Sequence, residues 1–260
     1  MLPAPAPVAA PAPAPAPAEI VLTVANVSKA FGTNQVLRNF SLDVRRGENV
    51  VVLGKSGAGK SVLIKCIIGL MPVDAGTIRV LGQDVATLDH TALDQLRAKV
   101  GFLFQSNALY DSMTVRENLL FPLRRHWLTH SPGEEDELVR QALEDVGLGH
   151  TIDMMPAELS GGMRKRIALA RTLILQPDII LYDEPTTGLD PVTAREIDQL
   201  IREVQQKYGT SSVIISHDMN CVRLTANRVA LLVEGRCYAL GTYAELKAST
   251  DPAIHEFFSE

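Results

Sequence analysis

Cysteine is scarce here: three in 260 residues, with Cys66, Cys221 and Cys237 far apart and lacking His or Cys neighbours at ligand spacing. That excludes a disulfide framework and a Cys/His metal site, and predicts reduced, structural thiols of a cytosolic protein. No uninterrupted apolar run reaches the roughly 18 to 20 residues that span a bilayer, so any membrane pore is expected on a separate chain. Positive charge is not in excess either. Lys and Arg number 25 against 30 Asp and Glu, a formal net charge of −5, which argues against a nucleic-acid-coating protein and predicts no nucleic-acid partner. The stretch "MLPAPAPVAAPAPAPAPA" (1–18) is not expected to act as a secretory signal, having no basic start and no leucine-rich centre. Alternating Pro and Ala forms neither helix nor ladder, so 1–18 is expected to be an extended, disordered tail beside a domain spanning 19–260.

What remains is rich in apolar residues, 46% of the chain, enough for a substantial core. From residue 19 on, Val- and Ile-rich runs alternate with helical patterns, the signature of an α/β domain with a parallel sheet. Four of those runs end in something polar. "NVVVL" (49–53) leads into "GKSGAGKS", and "VGFLF" (100–104) into Gln105. "DIILY" (178–182) leads into Asp183 and Glu184, and "SVIIS" (212–216) into His217. Ligands of open α/β sheets bind beyond the carboxyl ends of the strands, so four such ends predict one shared site.

"GKSGAGKS" fits the P-loop pattern G-x-x-x-x-G-K-[ST] between a strand and a helical run, "SVLIKCIIGL". Gly54, Lys55, Ser56, Gly57, Ala58 and Gly59 would cradle phosphates with backbone N–H groups. Lys60 would reach the β and γ oxygens of ATP, and the Ser61 hydroxyl would take a place on Mg²⁺. "IILYDEP" reads as the Walker B strand, with Asp183 holding the magnesium assembly and Glu184 placed as general base for an attacking water.

"LSGGMRKR" (159–166) poses an electrostatic problem. Ser160 is a good helix cap, but Arg164, Lys165 and Arg166 put positive charge at the end of a helix where the dipole disfavours it. Two resolutions stand: a capped surface helix with solvated cations, or an anion docked on the helix end, with Gly161 and Gly162 allowing it close to the backbone.

Taken together, the P-loop, Gln105, "LSGG", "LYDEPTTGLD" (181–190) and His217 fall in an order that resembles the ABC (ATP-binding cassette) ATPases over almost all of 19–260. The resemblance implies a P-loop NTPase fold: a RecA-like core, an antiparallel β subdomain and an inserted α-helical subdomain at about 106–165. It also implies a head-to-tail homodimer around two MgATP, in which Ser160, Gly161 and Gly162 face the γ-phosphate held by the partner's Lys60. Gln105 would then sense Mg²⁺ and the attacking water, Asp190 would cross the dimer interface, and His217 would contact the γ-phosphate. Phe31, in "VSKAFG", sits where the family stacks an aromatic ring on adenine, although a Phe near a strand end is often plain core. Met163 departs from the family's usual LSGGQ; lacking an amide's hydrogen bonds, it is expected to pack within the helix.

"LSGGM" with its basic residues, "FQSNALYDSMTVRENLLFPLR" (104–124) and "DPAIHEFF" (251–258) look like the ATPase of Mla/Mce-type systems, which move phospholipids or other hydrophobic molecules between bacterial membranes. That implies integral permease subunits, a substrate-binding Mce-type protein, and a peripheral place on the cytoplasmic face of the bacterial inner membrane. Thr114 to Glu117 is a capping box that starts a helix, leaving Leu119, Leu120, Phe121 and Trp127 to bury, by internal packing or, for some of them, in a groove for a permease's coupling helix. Other readings remain: another split-subunit importer or efflux pump, a non-transport ABC protein, and a P-loop kinase, against which "LSGG" and His217 argue.

Overall fold

The computed structural model describes residues 19–125 and 131–258; the Pro/Ala-rich tail and Trp127 lie outside them. β1 (Ile20–Phe31) and β2 (Asn34–Arg45) form a long hairpin, followed by β3 (Asn49–Leu53), the P-loop and α1 (Lys60–Ile67). Next come β4 (Ala75–Val80), β5 (Gln83–Asp84), α2 (His90–Ala98) and β6 (Val100–Leu103). Three helices follow, α3 (Val115–Arg125), α4 (Pro132–Glu144) and α5 (Gly161–Leu173). β7 (Ile179–Asp183), α6 (Pro191–Tyr208), β8 (Ser211–Ser216) and α7 (Met219–Thr225) lead to β9 (Arg228–Val233), β10 (Arg236–Gly241), α8 (Tyr243–Lys247) and α9 (Pro252–Phe258). Among the described residues no helix is long and apolar enough to cross a membrane.

The strands make two sheets. One is antiparallel, in the order β2-β1-β4-β5; the other runs β10-β9-β3-β8-β7-β6 and is parallel except for β10 at one edge. Every residue of β3, β7 and β8 is buried, as continuous apolar strands covered on both faces should be. Side chains of a strand alternate between faces, and the cores alternate with them. Val51, Leu53, Ile180, Tyr182 and Ile214 join the core built with α3, α4, α5 and α6. Val50, Val52, Ile179, Leu181, Val213 and Ile215 join the core against the antiparallel sheet and α1.

Local expectations fare as the physics of each segment dictates. The capping box at α3 is present: Thr114 N donates to Glu117 Oε2 (2.8 Å) and Glu117 N to Thr114 Oγ1 (3.3 Å). Leu119 and Leu120 are buried, and Phe121 is half-buried with its ring 4.7 Å from that of Tyr110. The run at 100–104 ends one residue early, and Phe104 stands partly exposed beyond the strand with its ring 4.1 Å from Phe102. All three thiols are free, with Cys66 and Cys221 buried.

Candidate functional site

The register of the parallel sheet sets the four polar ends in a row. Leu53 pairs with Ser216, Ile215 with Asp183, and Tyr182 with Leu103, so the residues after β3, β8, β7 and β6 emerge side by side. They surround a cleft of about 500 Å³ lined by Ser56, Gly57, Gly59, Lys60, Ser61, Gln105, Glu184 and His217. Gly59 begins α1 at φ 104°, in the left-handed region, and a Cβ there would meet Val36 Cγ1 at 2.7 Å. The turn therefore requires glycine, and it leaves the first-turn N–H groups of α1 facing the cleft without a side-chain cap.

Lys60 is buried. Its Nζ donates to the carbonyls of Gly54 (2.7 Å) and Lys55 (3.1 Å), and lies 3.5 Å from Glu184 Oε1. Glu184 is 13% exposed and takes two further donors on Oε2, His217 Nδ1 at 2.7 Å and Thr187 Oγ1 at 3.1 Å. Its backbone is left-handed, φ 52°, with its N–H donating to Ile215 O at 3.0 Å. A glutamate held there is a strained residue kept in place by its surroundings. The carboxylate thus bridges a P-loop lysine and a histidine from two neighbouring strand ends.

Ser61 Oγ donates to Asp183 Oδ1 at 3.0 Å. Burial lifts the Asp183 carboxyl above its ordinary range, opposed by the Ser61 hydroxyl, while the Glu184 charge adds to the rise. A buried carboxylate beside a hydroxyl, its rise only partly offset by the charges of Lys65 and Lys60, is a group that a hard divalent ion stabilises. Among the described residues no cluster of three or more His, Cys, Asp or Glu forms a cage. That donor set suits Mg²⁺, which binds through one or two carboxylates plus phosphate and water rather than through an all-protein cage.

Ser160, Gly161, Gly162 and Asp190 do not line the cleft; they form a second patch where α5 meets α6. Ser160 caps α5 through Met163 N (3.2 Å), and the N–H groups of Gly161 and Gly162 precede the first intrahelical bond, from Arg164 N to Ser160 O at 2.9 Å. A Cβ on Gly162 would meet Thr193 Cγ2 at 2.5 Å, so this glycine is required by close approach. Asp190 caps α6, accepting from Val192 N (3.0 Å), Thr193 N (3.1 Å) and Thr193 Oγ1 (2.5 Å). Met163 packs against the helical core. Phe31 is 48% exposed, so it is not plain core, and Lys29 Nζ lies 5.8 Å from its ring centroid; it does not line the cleft.

The three cations after "LSGG" are neither all solvated nor all directed at an anion. The helix starts at Gly161, two residues earlier than the run "MRKRIALARTLIL" suggests, so they lie beyond its free N–H groups. Lys165 is 2% exposed and donates to Gln105 O at 2.9 Å. Burial pushes its ammonium down to about 8, against the attraction of Asp183. Arg166 donates to Val146 O (3.3 Å) and pairs with Glu196 (2.6 Å). Sequence reasoning missed Lys165 as a buried group, although a cation out of place was the signal. It also passed over Thr187, which sits within "LYDEPTTGLD", and Val36, an ordinary strand residue that nothing in the pattern singles out.

Comparison with known proteins agrees with this geometry. The family model described as "ABC transporter" matches residues 37–187. The chain is 36% identical over 240 residues to the probable ribonucleotide transport ATP-binding protein mkl of Mycobacterium leprae, covering 92% of this chain and 69% of that protein. It is also 36% identical over 241 residues to the intermembrane phospholipid transport system ATP-binding protein MlaF of Haemophilus influenzae, covering 91% of this chain and 89% of MlaF. A dimeric post-hydrolysis structure of the ATP-binding cassette MJ0796 with ADP and Pi superposes with a TM-score of 0.77 at 31% identity, covering 85% of this chain and 98% of that one. The chain belongs to the ABC transporter family: it is an ATP-binding, Mg²⁺-using subunit that hydrolyses ATP for a transport system.

Proposed function

We propose that the cleft holds one MgATP and that the chain works as a head-to-tail homodimer driving a separate permease for phospholipid or another hydrophobic substrate. The observation that carries the catalytic part is the convergence of Lys60, Ser61, Gln105, Glu184 and His217 on one cleft. Lys60 and the N–H groups from Gly54 to Ser61 hold the β- and γ-phosphates, and Phe31 stacks on adenine. Ser61, Asp183 and Gln105 hold Mg²⁺, which neutralises charge on the phosphate oxygens. Glu184 takes a proton from the water that attacks the γ-phosphorus as the bond to ADP breaks, and His217 both orients Glu184 and contacts the γ-phosphate. Ser160, Gly161, Gly162 and Asp190 serve the partner's nucleotide, with residues of about 106–165 acting as a helical subdomain against the permease. Exposed Tyr110, its ring beside that of half-buried Phe121, is the apolar contact offered there, on the cytoplasmic face of the inner membrane.

The phospholipid reading is supported by likeness to MlaF over nearly the whole of both proteins; a Mce-type substrate-binding partner goes with it. A different transported solute is the second reading, supported by equal identity to mkl. The test is purification with the permease from membranes, followed by mass spectrometry of what is bound. Enriched phospholipid that leaves on ATP turnover is expected. A complex carrying only a hydrophilic solute would remove the lipid reading and keep the ATPase.

A further inference from the structure

The reading of the cleft as the MgATP site gives Gln105 a task but says nothing of what holds it there. Gln105 follows β6, and its carbonyl accepts from Lys165 Nζ at 2.9 Å. Two residues on, Asn107 and Ala108 both take left-handed backbone, φ 66° and 52°, which is unfavourable for a residue with a Cβ. Arg171, on the same helix as Lys165, donates to both of their carbonyls, Asn107 O at 3.1 Å and Ala108 O at 2.8 Å. Two cations of α5 thus grip three carbonyls within four residues of the segment that carries Gln105.

Lys165 is the costly member of this set. An ammonium 2% exposed has lost most of its hydration, and an apolar chain of the same length would pack there without that penalty. Its partners are the Gln105 carbonyl and, by charge, Asp183; no other hydrogen bond or ion pair involves it among the described residues. Gln105 lines the cleft and Asp183 accepts from Ser61, which lines it too, and neither belongs to α5's own packing.

We propose that Lys165 is a positioning residue for hydrolysis, fixing the Gln105 carbonyl and thereby the place of the Gln105 side-chain amide in the cleft. The proposal rests on the MgATP reading of that cleft. Because Lys165 stands five residues after Ser160 on the helix that starts with "SGG", it also ties a subunit's own Gln105 to the motif it presents to its partner.

The test uses the full chain as Lys165→Met, Lys165→Arg, Gln105→Ala and Lys165→Met/Gln105→Ala. Asn107 N–H donates to Phe104 O at 3.1 Å across the braced turn, so amide exchange at Asn107 reads the brace without any turnover. Loss of a charged hydrogen bond should speed that exchange about ten- to a hundredfold, with Ile167–Leu173 still protected. Misplacing Gln105 should lower kcat by up to about 10²-fold with KM for ATP little changed. The double variant should be no slower than the slower single one, and Lys165→Arg should restore both kcat and Asn107 protection. Additive losses in the double variant, or unchanged Asn107 exchange in Lys165→Met, would overturn the proposal. If Lys165→Met loosens α5 as a whole, Lys165→Arg decides: normal kcat with Asn107 unprotected overturns it, and joint recovery supports it. ATP binding that is unaffected by Lys60→Ala in otherwise wild-type chain would sink the cleft reading instead.

Discussion

Asp198 should make this protein less stable as pH rises from about 4 to about 6, and Asp198→Asn should abolish that loss. The residue lies on the buried side of α6 with no exposure, and neither carboxyl oxygen has a hydrogen-bond partner of normal geometry. Burial pushes its carboxyl from 3.8 up to about 6; the nearby Asp218 charge adds to the rise, and the Cys221 thiol beside it opposes. The sign follows from proton counting. Between those two values the folded chain keeps a proton that the unfolded chain has released, so stability falls as pH rises and levels off above about 6. At 1.36 kcal/mol for each pH unit, the cost at neutral pH is about 3 kcal/mol. For a chain of this length that corresponds to roughly 6–12 °C in melting temperature. A buried amide brings a penalty of its own, about 1–3 kcal/mol where unsatisfied, but that penalty does not change with pH. The measurement is therefore the stability of Asp198→Asn minus that of the unaltered chain, by urea titration at pH 4, 5, 6 and 7.5. The other carboxylates cancel in the difference, which should climb by about 2.4 kcal/mol across the series, the first part of the cost being present already at pH 4. A difference that stays flat refutes the reasoning: Asp198 would then be solvated or partnered in the folded state.

Two further outcomes follow from the site. Glu184→Gln should slow hydrolysis by about 10²- to 10⁴-fold while ATP still binds, and light scattering should show an ATP-dependent dimer; adding Ser160→Arg should dissolve that dimer with nucleotide retained, and a dimer that persists would exclude the head-to-tail arrangement. Gly162→Ala should cost about 1–3 kcal/mol, because Thr193 cannot turn its methyl away without releasing the hydroxyl bond to Asp190; Thr193→Ser in the same chain keeps the hydroxyl and should recover most of the loss, and no recovery would place the strain elsewhere.

The sequence made the site legible where chemistry and strand period coincide. β3, β7 and β8 are buried on both faces and read as unbroken apolar runs, so their polar ends were visible as departures from the pattern. The cap at Thr114 was equally plain, since a capping box is local. Other features depend on partners distant in sequence. The antiparallel pairing of β1 with β2 and β4 runs through several register shifts, which no alternation encodes. Lys165 and Asp198 look like solvated charges on amphipathic helices, and only the packing of α5 on the Gln105 segment, and of α6 on α7, shows them to be buried. Val36 enters the cleft because Gly59 lies against it, a contact that composition cannot announce.

The place of β6 has a mechanical consequence. Of the four strands whose ends meet at the cleft, β3, β7 and β8 each have a hydrogen-bonded neighbour on either side, while among the described residues β6 closes the sheet with β7 alone. Three walls of the cleft are thus stiff, and the fourth, carrying Gln105, is compliant in the plane of the sheet. Side-chain cations from α5 hold the Gln105 segment just past the end of β6, and such contacts can slide or release without unzipping a sheet. The chamber can therefore yield along one side while its floor keeps its shape, and the yielding side is the one that leads toward α3.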